Sequence, residues 1–185
     1  MEELELVSPA MEYKEDVLKF FQEIKEADAS KPWQYAGMSR LNECSSYEVW
    51  IKEKKDEECG VNLPDGYVPA STFLCVRKID NKVVGICNIR HQLNDFLLNY
   101  AGHIGQSIRP EERGKGYGAR QLLLALDKCD ELGMQNVLIT CDETNIASAK
   151  TIEKCMGEYE NTVQNGDSLT RRYWISIDKI KKLKM

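Results

Sequence analysis

Six residues, Arg113-Gly114-Lys115-Gly116-Tyr117-Gly118, carry the plainest chemical signal in the chain. They follow a strand-like run, His103 to Ile108, and open a helix-like run with Ala119, Leu122, Leu123, Leu126 and Cys129 on one stripe. A chain that turns from strand to helix through glycines leaves its first helical N–H groups without intrahelical acceptors, at the positive end of the helix dipole. Such a turn receives phosphate oxygens. Glycine suits it because a Cβ would hold the phosphates off and forbid some of the φ angles. The chemistry expected of this segment is the binding of a phosphorylated ligand by backbone amides.

The elements that must position the turn are legible from periodicity. Leu4, Leu6 and Val7 predict a first strand, and Val17, Phe20, Phe21 and Ile24 fall at helical spacing. Tyr47, Trp50, Ile51 and Lys54 predict a second, short helix. Residues 29–45 and 56–70 are irregular and hold Trp33, Tyr35 and Tyr67. Loops of that length in a compact domain are more often functional than idle. Thr72–Arg77 and Val83–Ile89 flank Asp80-Asn81 and read as an antiparallel hairpin. After a helix stop at Gly133, Val137–Cys141 is a short continuous apolar run, as expected for a strand buried on both faces. Asn145–Met156 reads as a further helix, and Tyr159–Val163 pairs with Leu169–Ile177 around Asn165-Gly166. The order is β-α-α-β-β-β-α-β-α-β-β, an α/β layer architecture.

Composition bounds what such a fold is for. A chain of 185 residues with 42% hydrophobic and 30% charged residues suits one globular domain with a proper core. A net charge of −5 argues against nonspecific nucleic-acid binding, which needs a basic footprint. The acidic start Met-Glu-Glu-Leu-Glu-Leu has no signal-peptide core, and no apolar run is long enough to span a membrane. The seven cysteines are scattered, odd in number and without CxxC spacing, so neither a zinc site nor a disulfide framework is expected. With His91 and His103 the only histidines, no metal site is expected, and the cytoplasm is the expected compartment.

The glycines fit more than one motif. The phosphate loop GxxxxGK[ST] has no match, because Gly116 follows Lys115. The dinucleotide fingerprint GxGxxA is met by Gly114, Gly116 and Ala119, with Asp142 at a distance suited to a ribose. That fingerprint belongs at the head of parallel βαβ units, however. Here it follows an antiparallel hairpin and an Arg-Pro-Glu-Glu linker, and too little chain remains to complete such a fold.

Residues 102–157 resemble instead the GNAT superfamily of N-acetyltransferases. Its signature (Gln/Arg)-x-x-Gly-x-(Gly/Ala) is met by Arg113–Gly118, approached through Ile108-Arg109-Pro110-Glu111 and followed by the strand Val137–Cys141 and Asn145. The resemblance is good from Ser71 onward and extends to the first 70 residues in outline. It implies a GNAT-like mixed, mostly antiparallel sheet with helices on both faces, in a single domain over residues 1–185. Residues 1–70 would form the variable substrate side, and residues 71–185 the acetyl-CoA-binding core with its C-terminal hairpin.

The resemblance further implies that acetyl-CoA lies in a split between the fourth and fifth strands. The amides of Gly114, Lys115, Gly116, Tyr117 and Gly118 would hold its pyrophosphate, with Lys115 and Arg113 adding charge or standing solvated. Ser107 and Ile108 would pair with the pantetheine arm. An N–H near Gln106 or Ser107 would polarise the thioester. Asn145 would hydrogen-bond near the arm, cap the following helix, or both. The chemistry implied is direct attack by an amine.

The chain departs from the commoner family pattern at two proton-transfer positions, with Ile152 where many members have tyrosine and Gly102-His103 where many have glutamate. His103, Asp142 and Glu143 are the candidate bases. Trp33 and Tyr35 are candidates for the substrate pocket. The expected activity is acetylation of a primary amine by a monomer or homodimer, without metal, nucleic acid or membrane. The alternative is a noncatalytic acyl-CoA-binding or sensor module of the same fold.

Overall fold

A computed structural model describes residues 2–184. Its frame is an antiparallel sheet in the order β1 (Leu4–Val7), β2 (Ala70–Arg77), β3 (Lys82–Arg90) and β4 (Ile104–Ile108). Nearly every side chain of β2 and β3 is buried, because helices cover both faces. On one face, α1 (Lys14–Ala27) and α2 (Tyr47–Glu58) bring Val17, Phe20, Ile24, Tyr47 and Trp50 onto Leu74, Val76, Val83 and Ile86. On the other, α3 (Tyr117–Glu131) lays Ala119, Leu122, Leu126 and Cys129 against Cys87, Ile89 and Ile104.

A second antiparallel sheet has the order β5 (Asn136–Asp142), β7 (Ser168–Ser176), β6 (Glu158–Asn165). The helix α4 (Ile146–Lys154) follows β5, and α5 (Ile177–Lys184) follows β7 without a break. The periodicity reading ran β7 on to Ile177 and had no closing helix. Ile177 and Ile180, one helical turn apart, are both buried in the core, and that tertiary burial fixes α5. Residues Leu97–Ala101, unassigned from sequence, form a short π-helical turn ahead of β4.

β4 and β5 are neighbours that do not pair as strands among the described residues. They meet at one end. His103 donates its N–H to the Leu138 carbonyl at 2.7 Å, and the Leu138 N–H donates to Nδ1 of His103 at 2.9 Å. The register settles what lies beyond. Arg90 N–H donates to the His103 carbonyl and Arg109 N–H to that of Val84, so the odd-numbered residues of β4 turn their backbone groups to β3. Gln106 and Ile108 therefore present theirs toward β5. By the same reasoning, Glu143 N–H bonded to the Leu169 carbonyl turns the odd-numbered residues of β5 to β7, leaving Thr140 and Asp142 facing back. The result is a V-shaped split with open backbone groups on both arms, at Gln106 and Thr140, while the Ile108 carbonyl accepts from Arg113 and that of Asp142 from the Asn145 N–H.

Gly102 makes the apex possible. Its φ is +63°, and a Cβ there would stand 2.5 Å from the Leu138 carbonyl oxygen. Both the left-handed backbone and the close approach demand glycine. Gly102→Ala should therefore destabilise the fold by about 1–3 kcal/mol, the usual cost of such strain. Calorimetric melting should show a Tm several degrees lower, and an unchanged Tm would mean that the two strands are not held at this contact.

Candidate active site

The split opens into a cleft of about 1050 Å³, walled by β4 and β5, with the glycine turn at one end and the loop of residues 29–45 at the other. At the turn, Gly114 and Gly116 have φ of +76° and +85°, and a Cβ on either would meet no atom within 4 Å. These are positions where glycine is needed for conformation and faces open space. Gly118 is different: its φ is ordinary, and a Cβ would stand 3.6 Å from Thr151 Cγ2, a normal contact. The amides of residues 114–119 find no protein acceptor among the described residues. Six successive N–H donors are thus left free at the start of a 15-residue helix, an arrangement suited to an anion.

Charges around the turn are arranged in pairs. Lys115 Nζ bonds to the Glu112 carboxylate at 2.9 Å, and Lys82 and Arg77 reach the same carboxylate. Burial alone would raise the pKa of Glu112, but these hydrogen bonds and charges hold it at about 2. Arg113 makes a two-pronged bond to Asp28 at the end of α1, with Nη1 and Nη2 at 2.9 and 2.5 Å, and its Nε donates to the Ile108 carbonyl at 3.0 Å. Arg113 thus ties the turn to the entrance of the loop at residues 29–45. The Tyr117 ring is buried, with its hydroxyl bonded to Arg77, so this residue offers the cleft its backbone. Two lysines not singled out from sequence, Lys150 and Lys154 of α4, also line the cleft, beside Thr151. Their i,i+4 spacing was visible, but their place opposite the turn depends on how α4 packs against α3.

The wall residues separate by parity. Gln106 and Ile108 line the cleft with their backbone toward the split. Ser107, grouped with Ile108 in the sequence reading, turns its backbone to β3, and its Oγ donates to the Ala36 carbonyl at 2.6 Å. Ser107 therefore holds the loop onto β4. Asn145 lines the cleft, and its Oδ1 accepts from the Ser148 N–H at 3.1 Å, the capping role open to it from sequence.

Of the three candidate bases, only Asp142 lines the cleft. Its Oδ1 accepts from the Thr144 N–H at 2.9 Å and from the Thr144 hydroxyl. Glu143 lies outside the lining, 3.9 Å from Arg171. His103 is buried at the apex and is likewise outside the lining. Burial pushes its pKa down, and accepting an N–H at Nδ1 suits the neutral ring alone. Its geometry is that of a clamp between strands. Ile152 is buried in the core, and burial raises the Cys141 thiol to about 11, which keeps it protonated.

Trp33 and Tyr35 line the far end, together with Tyr67. Lys31 stands over the Trp33 ring at 5.6 Å, Tyr35 stacks on Phe21 of α1, and Arg40 lies over Tyr67 at 5.3 Å. Among the described residues there is no cluster of three or more metal-ligating side chains, and no helix is long and apolar enough to cross a membrane.

Comparison with known proteins agrees with this geometry. A family model for the acetyltransferase (GNAT) family matches residues 18–157. A search of curated proteins gave no significant sequence match. Among solved structures, a spermidine N-acetyltransferase chimera of Vibrio cholerae SpeG and hSSAT superposes with a TM-score of 0.65 at 16% identity, covering 96% of this chain and 98% of that one. The microcin C7 self-immunity acetyltransferase MccE, in complex with acetyl-CoA and AMP, gives 0.69 at 17% identity over 95% and 93% of the two chains. The ribosomal-protein alpha-N-acetyltransferase RimL, in complex with coenzyme A, gives 0.69 at 17% over 95% and 94%. At these identities the likeness is one of fold.

The depressed pKa of Glu112 has a measurable sign. A carboxylate held below its unfolded value contributes stability above about pH 4.5, and that contribution is lost as pH falls toward the folded value of about 2. Glu112→Gln should therefore lower Tm most at neutral pH, with the gap from wild type closing between pH 5 and pH 2. A gap that stays constant across this range would show that the carboxylate charge is not what holds the turn.

Proposed function

Because the chain belongs to the acetyltransferase (GNAT) family, we propose that it moves an acetyl group from acetyl-CoA to a primary amine by direct attack in a ternary complex. The family makes it an acyltransferase. The observation that carries the finer reading is the continuity of two sets of open donors in one cleft. The unpaired amides of residues 114–119 lead directly to the unpaired edge of β4.

When bound, acetyl-CoA supplies an activated thioester carbonyl. The turn amides from Gly114 to Gly118 bind its pyrophosphate, and Lys150 and Lys154 add positive charge from the opposite wall. Ile108 offers its backbone N–H to the pantetheine arm, its carbonyl being taken by Arg113. The Gln106 N–H, turned into the split by the register, stabilises the negative charge that develops on the carbonyl oxygen. Asn145 closes the other side of the arm. A positioned neutral amine needs little further help, since holding two reactants in line supplies much of the rate. Its proton leaves through water to Asp142, the candidate base that lines the cleft, and as the C–S bond breaks solvent supplies a proton to the departing thiolate, since Ile152 has none to give. Residues 71–185 form the cofactor core in this reading. Residues 1–70 supply amine selectivity, since the loop with Trp33 and Tyr35 lies across β4.

Two measurements test this. Gly116→Val should weaken acetyl-CoA binding at least about tenfold by calorimetry. A folded variant that binds normally would end the phosphate-cradle reading. In a thiol-release assay across a panel of primary amines, wild type should show amine-dependent release. Asp142→Asn should lower kcat about a hundredfold with the acetyl-CoA Kd unchanged. Full activity in Asp142→Asn would leave proton removal to solvent alone.

A further inference from the structure

Arg90, the last residue of β3, lines the cleft with no carboxylate at ion-pair distance among the described residues. Its Nη1 donates to the carbonyls of Ala101 and Gly102, at 3.0 and 3.1 Å. Its Nε and Nη2 have no acceptor, and no carboxylate stands at ion-pair distance, among the described residues. The other charges on this wall are compensated. Arg40 is paired with Glu43 and Glu53, and Glu57 with Lys54, the latter pair buried and bonded to Ser39 as well. Glu57 acts on Arg90 from beyond ion-pair distance, and one of its oxygens is already committed to Lys54 and Ser39.

Burial pushes the pKa of this guanidinium down, but arginine stays charged in proteins. A half-buried guanidinium on a cleft wall keeps donors free for a ligand, and its planar fork matches a carboxylate or phosphate through two parallel bonds. Its location is equally specific. Nη2 lies 3.6 Å from where a Cβ on Gly105 would stand, so the fork lies over β4 at Gly105. The next residue, Gln106, faces the split, and successive Cα atoms are only about 3.8 Å apart. An anion held by Arg90 is therefore close to the place assigned to the reacting carbonyl.

We propose that Arg90 is an anion-binding site for the acceptor, so that the amine substrate carries a carboxylate or phosphate within a few bonds of its nucleophilic nitrogen. This rests on the amine acetyltransferase reading above. It deepens that reading by naming the acceptor class as anionic. The aromatic residues Trp33, Tyr35 and Tyr67 at the same end of the cleft would then receive the rest of the acceptor. A purely cationic acceptor fits less well, because the carboxylates here are already neutralised by Lys54 and Arg40.

The test compares amines with and without an anionic group, at a pH high enough that the amine of each pair is largely neutral. L-phenylalanine and L-methionine are set against their amides, and phosphoethanolamine against ethanolamine, which separates carboxylate from phosphate. Acetyl-dependent thiol release and calorimetric binding to the coenzyme A-saturated protein are measured for each. Wild type should favour at least one anionic member about tenfold or more. Arg90→Gln should bring that ratio close to one, and Arg90→Lys, which keeps the charge but not the fork, should leave it intermediate. The ratio within each variant corrects for partial misfolding, which lowers both members alike. Turnover of amides and ethanolamine equal to that of their anionic partners would overturn the anion site while leaving acetyl transfer intact. Selective binding of the anions without turnover, lost in Arg90→Gln, would support the site and count against acetyl transfer. Neither turnover nor selective binding would overturn both.

Discussion

A single out-of-phase residue governs this molecule. In a regular strand a residue turns its N–H and its carbonyl to the same side. His103 does not: its N–H goes to Leu138 on β5, and its carbonyl accepts from Arg90 on β3. The left-handed Gly102 just before it makes this possible. The carbonyl that would have carried a β4–β5 ladder one step further is thus already committed, and the imidazole takes up the matching N–H of Leu138. Two strands that would otherwise zip together are pinned at one point and left to part. The cleft, its open edges and the approach to the glycine turn all follow from that pin.

Open backbone edges are costly unless something shields or uses them. Here they lie on the inner walls of a cleft, where another chain cannot add easily but an extended ligand can. The surrounding structure keeps the walls in place with buried charge. Arg109, almost fully buried, bonds to Glu23, Asp16 and the Val83 carbonyl, locking α1 against the hairpin just below the turn. Arg113 with Asp28, and Ser107 with Ala36, fasten the loop of residues 29–45 to the same strand. The segment that walls the far end of the cleft is thereby tied mechanically to the turn at the other end.

Electrostatics follows the same division. A chain with a net charge of −5 places Lys115, Lys150, Lys154 and Arg120 around the α3 start, where a polyanion would sit. Glu112 gathers Lys115, Lys82 and Arg77, which limits the self-repulsion of this patch. At the far end the charges cancel except at Arg90. Local compensation, rather than net charge, decides what each end of the cleft can hold.

The sequence alone determined the elements whose signals are local. The amphipathic stripe of α3, the hairpins and the glycine turn all rest on residues within a few positions of one another, so periodicity and backbone chemistry expose them. The turn at Arg113–Gly118 was legible for this reason, and with it the family. Features set by contacts distant in sequence were not legible. The length of α5 depends on Ile177 and Ile180 finding the core. Which of Gln106, Ser107 and Ile108 faces the split is a matter of parity fixed by pairing with β3. From sequence His103 is open between a structural, a partly exposed and a catalytic histidine, and the choice depends on Leu138, 35 residues away, whose N–H bonds to its Nδ1. Arg90 shows no pattern at all in sequence. What distinguishes it is that no carboxylate among the described residues stands at ion-pair distance, and only the packed tertiary structure can decide which charges are left without a close partner.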